Sequence, residues 1–269
     1  MNVRRWPQQE VGGNGEAMYS PAISRVEGEM VNPGGVEDVA KWFERVKTEL
    51  LARNPFRESE YFKRFLAGSL ARAQVWGHIS NQFLLVSWFP RIFSGIHARC
   101  DDLEVRKDCA RHLLVEDLGY FRGQVGGTPD HVELFKRIGD DLGYSRNVYE
   151  TLTPLPEMAD LLAHFRHVSQ SLPWNAALCA TAFYEGQVGD MASVVGPALM
   201  THYGCRPEWG GSNYAVHAEV EAEESGETEG AILKHVRTAD DRRLAEDAMR
   251  GFHDRTVAYA RGLAREYLR

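Results

Sequence analysis

The sequence predicts an all-α protein, and three observations carry that expectation. Apolar residues recur at helical spacing over long stretches from residue 36 onward. Alternating β-branched runs, which would mark strands, are scarce. Gly and Pro clusters punctuate the periodic stretches at intervals that suit helices rather than hairpins.

Residues 1–35 carry Pro7, Gly12, Gly13, Gly15, Pro21, Pro33, Gly34 and Gly35 with little periodicity, and read as an irregular arm. The remainder, 36–269, reads as one helical domain. Its first helix, 36–53, ends at Asn54-Pro55, and the second, 57–67, stops at Gly68. Helices follow over 71–97 and 101–122. The run Gly126-Gly127-Thr128-Pro129 precedes a helix over 130–142, which Gly143 closes. Pro154 and Pro156 open 156–171; Gly204 and Pro207 separate 173–203 from 208–236, and a last helix covers 238–268. No internal repeat is present, and neither Gly-Gly pair has the spacing of a phosphate-binding loop.

Composition narrows the function classes. At 269 residues, 43% hydrophobic and 26% charged, the chain has ordinary globular composition. A formal charge of −7 argues against nucleic acid as a partner, because phosphate binding needs a positive surface. Cys100, Cys109, Cys179 and Cys205 show no CxxC spacing and read as free, packed thiols of a reducing compartment. No apolar run reaches the roughly 18 residues of a membrane helix, and the N-terminus lacks the apolar core of a signal peptide. Cytoplasmic localisation is the expectation.

The chemistry concentrates in a few helical positions. His217, Glu221 and Glu224 stand at i, i+4 and i+7, within roughly 40° of one line on a helix. Imidazole and carboxylate from one stripe suit iron, manganese or zinc better than calcium or magnesium. The competing reading is a solvated acidic face, since Glu219, Glu223, Glu227 and Glu229 lie close by. Glu185 ends the apolar, small-residue run Trp174–Tyr184, where a carboxylate needs either an Arg or Tyr partner or a metal. Glu116 follows Leu113-Leu114-Val115 near a helix end, and His131 opens the next helix, where a surface role is the alternative. Together these positions offer four carboxylates and two imidazoles from four helices, the inventory of bundle-core di-iron sites. Four carboxylates also balance two divalent cations. His164 and His167, at i, i+3, lack a carboxylate nearby and read as packing or surface residues. His78, His97, His112, His202, His235 and His253 belong to no constellation visible in the sequence.

With these residues in hand, the sequence resembles the heme-oxygenase-like di-iron oxidases and oxygenases, relatives of pyrroloquinoline-quinone synthase and the thiaminase-II-like proteins. Within that group it resembles the chlamydial death-domain-associating, para-aminobenzoate-forming branch. The resemblance rests on His97–Lys107, Val115–Gly119, His131–Phe135, Tyr184–Val188 and Tyr214–His217, and covers roughly residues 55–265. It implies a heme-oxygenase-like bundle of about seven core helices. It also implies metal ligation by Glu116, His131, Glu185, His217, Glu221 and Glu224. The chain departs from the family where a His-x3-Asp/Glu-x2-His pattern ends in Glu224 instead of histidine. Either Glu224 ligates in that place, or one metal position is weakened. A second departure is that the Tyr and Lys consumed by the para-aminobenzoate-forming members match Phe62 and Val195 here, with Tyr61 adjacent.

The resemblance implies two Fe(II) per chain, with Mn as the alternative, and O2-dependent oxidation of a small molecule by N-oxygenation, C–C cleavage or decarboxylation. Expected partners are that substrate and O2, an external electron donor, and a second copy of the chain in a homodimer; neither nucleic acid nor a membrane is expected. Two rival readings stay open: a cofactorless oxidase resembling pyrroloquinoline-quinone synthase, and a non-catalytic binding protein of the same fold. Trp88, Phe89, Phe183 and Tyr184 are candidates for a substrate pocket or for core packing. Arg99 and Arg106 could hold a substrate carboxylate, or pair with Asp101, Asp102 and Glu104.

Overall fold

Several helix starts follow the capping chemistry of the sequence. The structure, a computed structural model, describes residues 38–269, without the side chains of 217–227 and 229. The arm expected over 1–35 lies outside the described residues. Helix α1 (Val39–Leu51) begins where the Asp38 carboxylate accepts from the amides of Ala40 and Lys41 at 2.9 and 3.4 Å. Asn54 caps α2 (Pro55–Glu58) and Ser59 caps α3 (Glu60–Leu66). The segment expected as one helix over 57–67 is therefore two, because Ser59 is extended (φ −67°, ψ 149°) and its side chain caps the second.

The helix expected over 71–97 also divides, into α4 (Arg72–Val86) and α5 (Pro90–Arg99). Pro90 is the cause: it has no N–H for the helical ladder, and it fits the first turn of a new helix. Helix α6 (Leu103–Leu118), capped by Asp102, ends four residues short of the expected 122 because Gly119 turns left-handed at φ 60°. Helix α7 (His131–Asp141) is capped by Asp130, and a short 3₁₀ turn over Arg146–Thr151 follows. Pro156 opens α8 (Pro156–Ser171). Helices α9 (Trp174–His202), α10 (Ser212–His235) and α11 (Ala239–Tyr267) complete the bundle, the last with a Thr238/Asp241 capping box. Among the described residues the only extended pairing is the isolated bridge between Phe121 and Gln124.

Helix α9 is the axis of the bundle and packs most extensively against α10 and α11, while α5 pairs with α6 and α8. Its contact with α10 depends on Gly196, where a Cβ would lie 2.6 Å from Cγ of Tyr214. A ring cluster of Phe165, Tyr184 and Phe252 ties α8, α9 and α11 together, with centroids 4.7 and 4.5 Å from Phe165. The four cysteines are buried and free, as their spacing suggests. No helix of the described residues is long and apolar enough to cross a membrane.

Candidate active site

Between α6, α7, α9 and α10 lies a cavity of about 330 Å³ with largely apolar walls. Glu116, His131 and Glu185 all line it, although they come from three separate helices. His131 Nδ1 lies 2.7 Å from Glu116 Oε2. The local sequence makes that pair. Gly119 stops α6 one turn after Glu116, and the chain folds back through Gly126 N–H donating to Leu118 O at 3.0 Å and Thr128 N–H to Gly119 O at 3.2 Å. Asp130 then caps α7, so that His131, its first residue, meets the carboxylate. His131 is 3% exposed, which removes the surface reading available from sequence.

His112 Nδ1 lies 3.8 Å from Glu185 Oε1. His112 is buried, its ring stacked on Phe93 at 4.2 Å, and its Nε2 is 3.9 Å from Asp108 Oδ2. Asp108 in turn accepts from the Thr228 hydroxyl of α10 at 3.4 Å. Sequence reasoning passed over His112. The signal was present: Asp108, His112 and Glu116 stand at i, i+4 and i+8 on α6, the same helical stripe that singled out His217. The side chains of His217, Glu221 and Glu224 lie outside the described residues. Helix α10 nevertheless runs along the cavity, which Asn213, Tyr214 and Thr228 line.

The field at this site is negative. Burial raises the Asp117 carboxyl, and the charge of Glu116 is the next cause. Burial pushes the Cys109 thiol up to about 12, with Asp108 contributing and Glu185 a smaller cause. Two carboxylates and two imidazoles on one cavity are donors that suit iron. Among the described residues they come as pairs, and no group of three His, Cys, Asp or Glu side chains is close enough to hold a metal ion.

Two further polar side chains, Asn213 and Tyr184, line the cavity. Asn213 is 2% exposed, and its Oδ1 has no hydrogen-bond partner among the described residues. Tyr184 is hydrogen-bonded to Gln82, and burial holds its hydroxyl far above the ordinary phenol range, so it keeps its proton. Of the aromatic candidates, Phe89 and Tyr184 reach the cavity, whereas Trp88 and Phe183 are not among its lining residues. Arg99 instead binds backbone carbonyls, at Gly95 (3.0 Å), Ser169 (2.6 Å) and Leu172. It thereby closes the ends of α5 and α8 rather than facing a substrate. Asp102 takes Lys234 and His235, at 2.7 and 3.1 Å. His164 contacts the Ala248 carbonyl at 3.0 Å and packs on Phe252, the structural role expected of it.

A family model described as an iron-containing redox enzyme matches residues 78–260, most of the bundle. The chain belongs to the iron-containing redox enzyme family. Among curated relatives of that kind, 4-aminobenzoate synthase of Chlamydia muridarum is 24% identical over 212 residues, covering 79% of this chain and 86% of the relative. The synonymous enzyme of Nitrosomonas europaea is 24% identical over 198 residues, 70% of this chain and 75% of its own length. Solved structures give the fold. A heme-oxygenase-like domain from Shewanella denitrificans superposes with a TM-score of 0.69 at 16% identity, over 87% of this chain and 95% of that one. A CADD-like protein of unknown function from Nostoc punctiforme gives 0.70 at 14% identity, over 86% and 99%. The bundle is heme-oxygenase-like, as the resemblance implied.

Proposed function

We propose that this family member is a di-iron oxidase or oxygenase that uses O2 to oxidise a small, largely apolar molecule held in the cavity. One observation carries the reading: Glu116, His131 and Glu185, singled out separately in the sequence, line a single cavity beside α10. On that helix, positions 213 and 228 line the cavity and share a stripe of about 80° with 217, 221 and 224. In this reading Glu116, His131 and Glu185 hold the metals together with His217, Glu221 and Glu224. Bound ferrous iron supplies the electrons that activate O2.

The chain's own groups do the rest. The bond to Glu116 fixes the ring plane and tautomer of His131. His112, held by the Phe93 ring, faces Glu185 and orients it. Apolar walls from Leu85, Val115, Phe135 and Met191 keep bulk water from the reacting atoms. The protonated Tyr184 hydroxyl offers a hydrogen bond to the substrate rather than a negative charge. Carboxylate–imidazole pairs on one cavity favour the metal reading over a cofactorless one, since these are the ligand types that suit iron. The 4-aminobenzoate of the named relatives is a less favoured product here, because the position matching the consumed lysine holds the fully buried Val195.

Purified chain exposed to Fe(II) without air is expected to bind close to two equivalents, and then to consume O2 when substrate candidates and air are admitted. Chelation should abolish that uptake. A protein that takes up no iron, or that oxidises substrate equally well after chelation, would sink the proposal.

A further inference from the structure

Helix α1 lies outside the residues 78–260 matched by the family model, yet it contributes to the cavity wall. Phe43 and Lys47, at i and i+4, are both lining residues. The helix is fixed in place from its other side: Trp42 Nε1 donates to Glu246 Oε2 at 3.2 Å, and Arg250 bonds both Glu49 oxygens at 3.1 and 3.3 Å. Trp42, Phe43, Val46 and Leu50 are buried beneath it. Lys47 is the only Lys or Arg among the described lining residues, whereas Glu116 and Glu185 are the carboxylates.

We infer that Lys47 is a specificity-determining residue, and that the substrate is an amphipathic anion whose negative group pairs with its ammonium while its apolar body fills the cavity. The inference rests on the proposed function in taking this cavity as the substrate site. Lys47 holds its ammonium over Phe43, with Nζ 5.4 Å from the ring centroid, and makes an i,i+3 ion pair with Glu44. Glu44 is 48% exposed, so that pair is screened by water and competes weakly with a bound anion. At this wall the Lys47 ammonium favours an anionic head over a neutral one, whereas Glu116 and Glu185 offer an amine an anionic partner elsewhere in the same cavity.

Hydrocinnamate, hydrocinnamyl alcohol and hydrocinnamylamine share one apolar body and differ in the charge of the head. Their binding to the iron-free full chain, measured by calorimetry, is expected to favour the carboxylate over the alcohol by about tenfold or more. Lys47→Met should bring the carboxylate down to the affinity of the alcohol and leave the alcohol unchanged, which also shows that the cavity remains intact. Lys47→Arg should keep the preference. Equal affinity for all three probes, no binding of any, or a preference that survives Lys47→Met overturns the inference. These readouts need neither iron nor turnover. A chain that binds no iron but shows the Lys47-dependent preference defeats the proposed function alone, and the opposite result defeats only this one.

Discussion

His78 and His131 are both buried, at 0% and 3% exposure, and they could hardly differ more in what burial does to them. His78 sits in a cage of rings from α3 and α11, with Phe62 at 5.0 Å, Phe65 at 6.0 Å and Tyr259 at 6.1 Å. Its Nδ1 lies 2.9 Å from the Tyr259 hydroxyl, and burial alone lowers its pKa to about 3. His131 has a carboxylate at 2.7 Å and a cavity beside it. The difference teaches that burial by itself makes a histidine inert packing. A neighbouring anion and open volume are what turn one into a candidate ligand.

The largest expected effect separates the two directly. His131→Ala should lower iron affinity and O2 uptake by about 100-fold, measured by metal titration and oxygen electrode. His78→Ala should leave iron binding unchanged and instead lower stability by about 3 kcal/mol in denaturant, the cost of a cavity in an aromatic cage. If both variants lose iron alike, the contrast between the regions fails.

A smaller effect tests the cage through pH. Below about 6.5 the unfolded chain protonates His78 and the native chain does not, so stability falls as pH drops from there toward about 3. The loss from this one group is about 2 kcal/mol at pH 5. His78→Gln, which cannot titrate, should flatten that part of the stability profile; an unchanged slope would mean His78 is not its source. The smallest expected effect belongs to Asn213, whose buried oxygen lacks a partner among the described residues. Asn213→Leu should raise stability by about 1 kcal/mol while weakening substrate binding, and a fall in both stability and binding would instead make it a purely structural residue.

The same contrast explains what could be read from the sequence. Glu116, Glu185 and His131 were legible because ionisable groups in apolar helical surroundings demand partners, and the structure brings them to one cavity. His112 was equally legible by its spacing from Glu116, but a lone histidine attracts no attention until its stripe is counted. Asn213 and Gln82 carry no charge and leave no trace in a pattern of charges. Lys47 reads as solvated surface, because only the docking of α1 reveals that its face meets a cavity. Helix existence was legible from periodicity, whereas the breaks at Ser59 and Pro90 depended on individual backbone chemistry that periodicity averages away. Arg99 looked electrostatic by its acidic neighbours, yet helix-end carbonyls claimed it.

The hairpin of α6 and α7 has a consequence for how the molecule comes to be folded. Glu116 and His131 meet across a short reverse loop held by its own amide bonds, so bringing them together costs little chain entropy. The approach of Glu185 to His112 requires α9 to return across the whole bundle, a far longer closure. The residues of the first pair are therefore all synthesised once α7 is complete, while the second pair needs α9 as well.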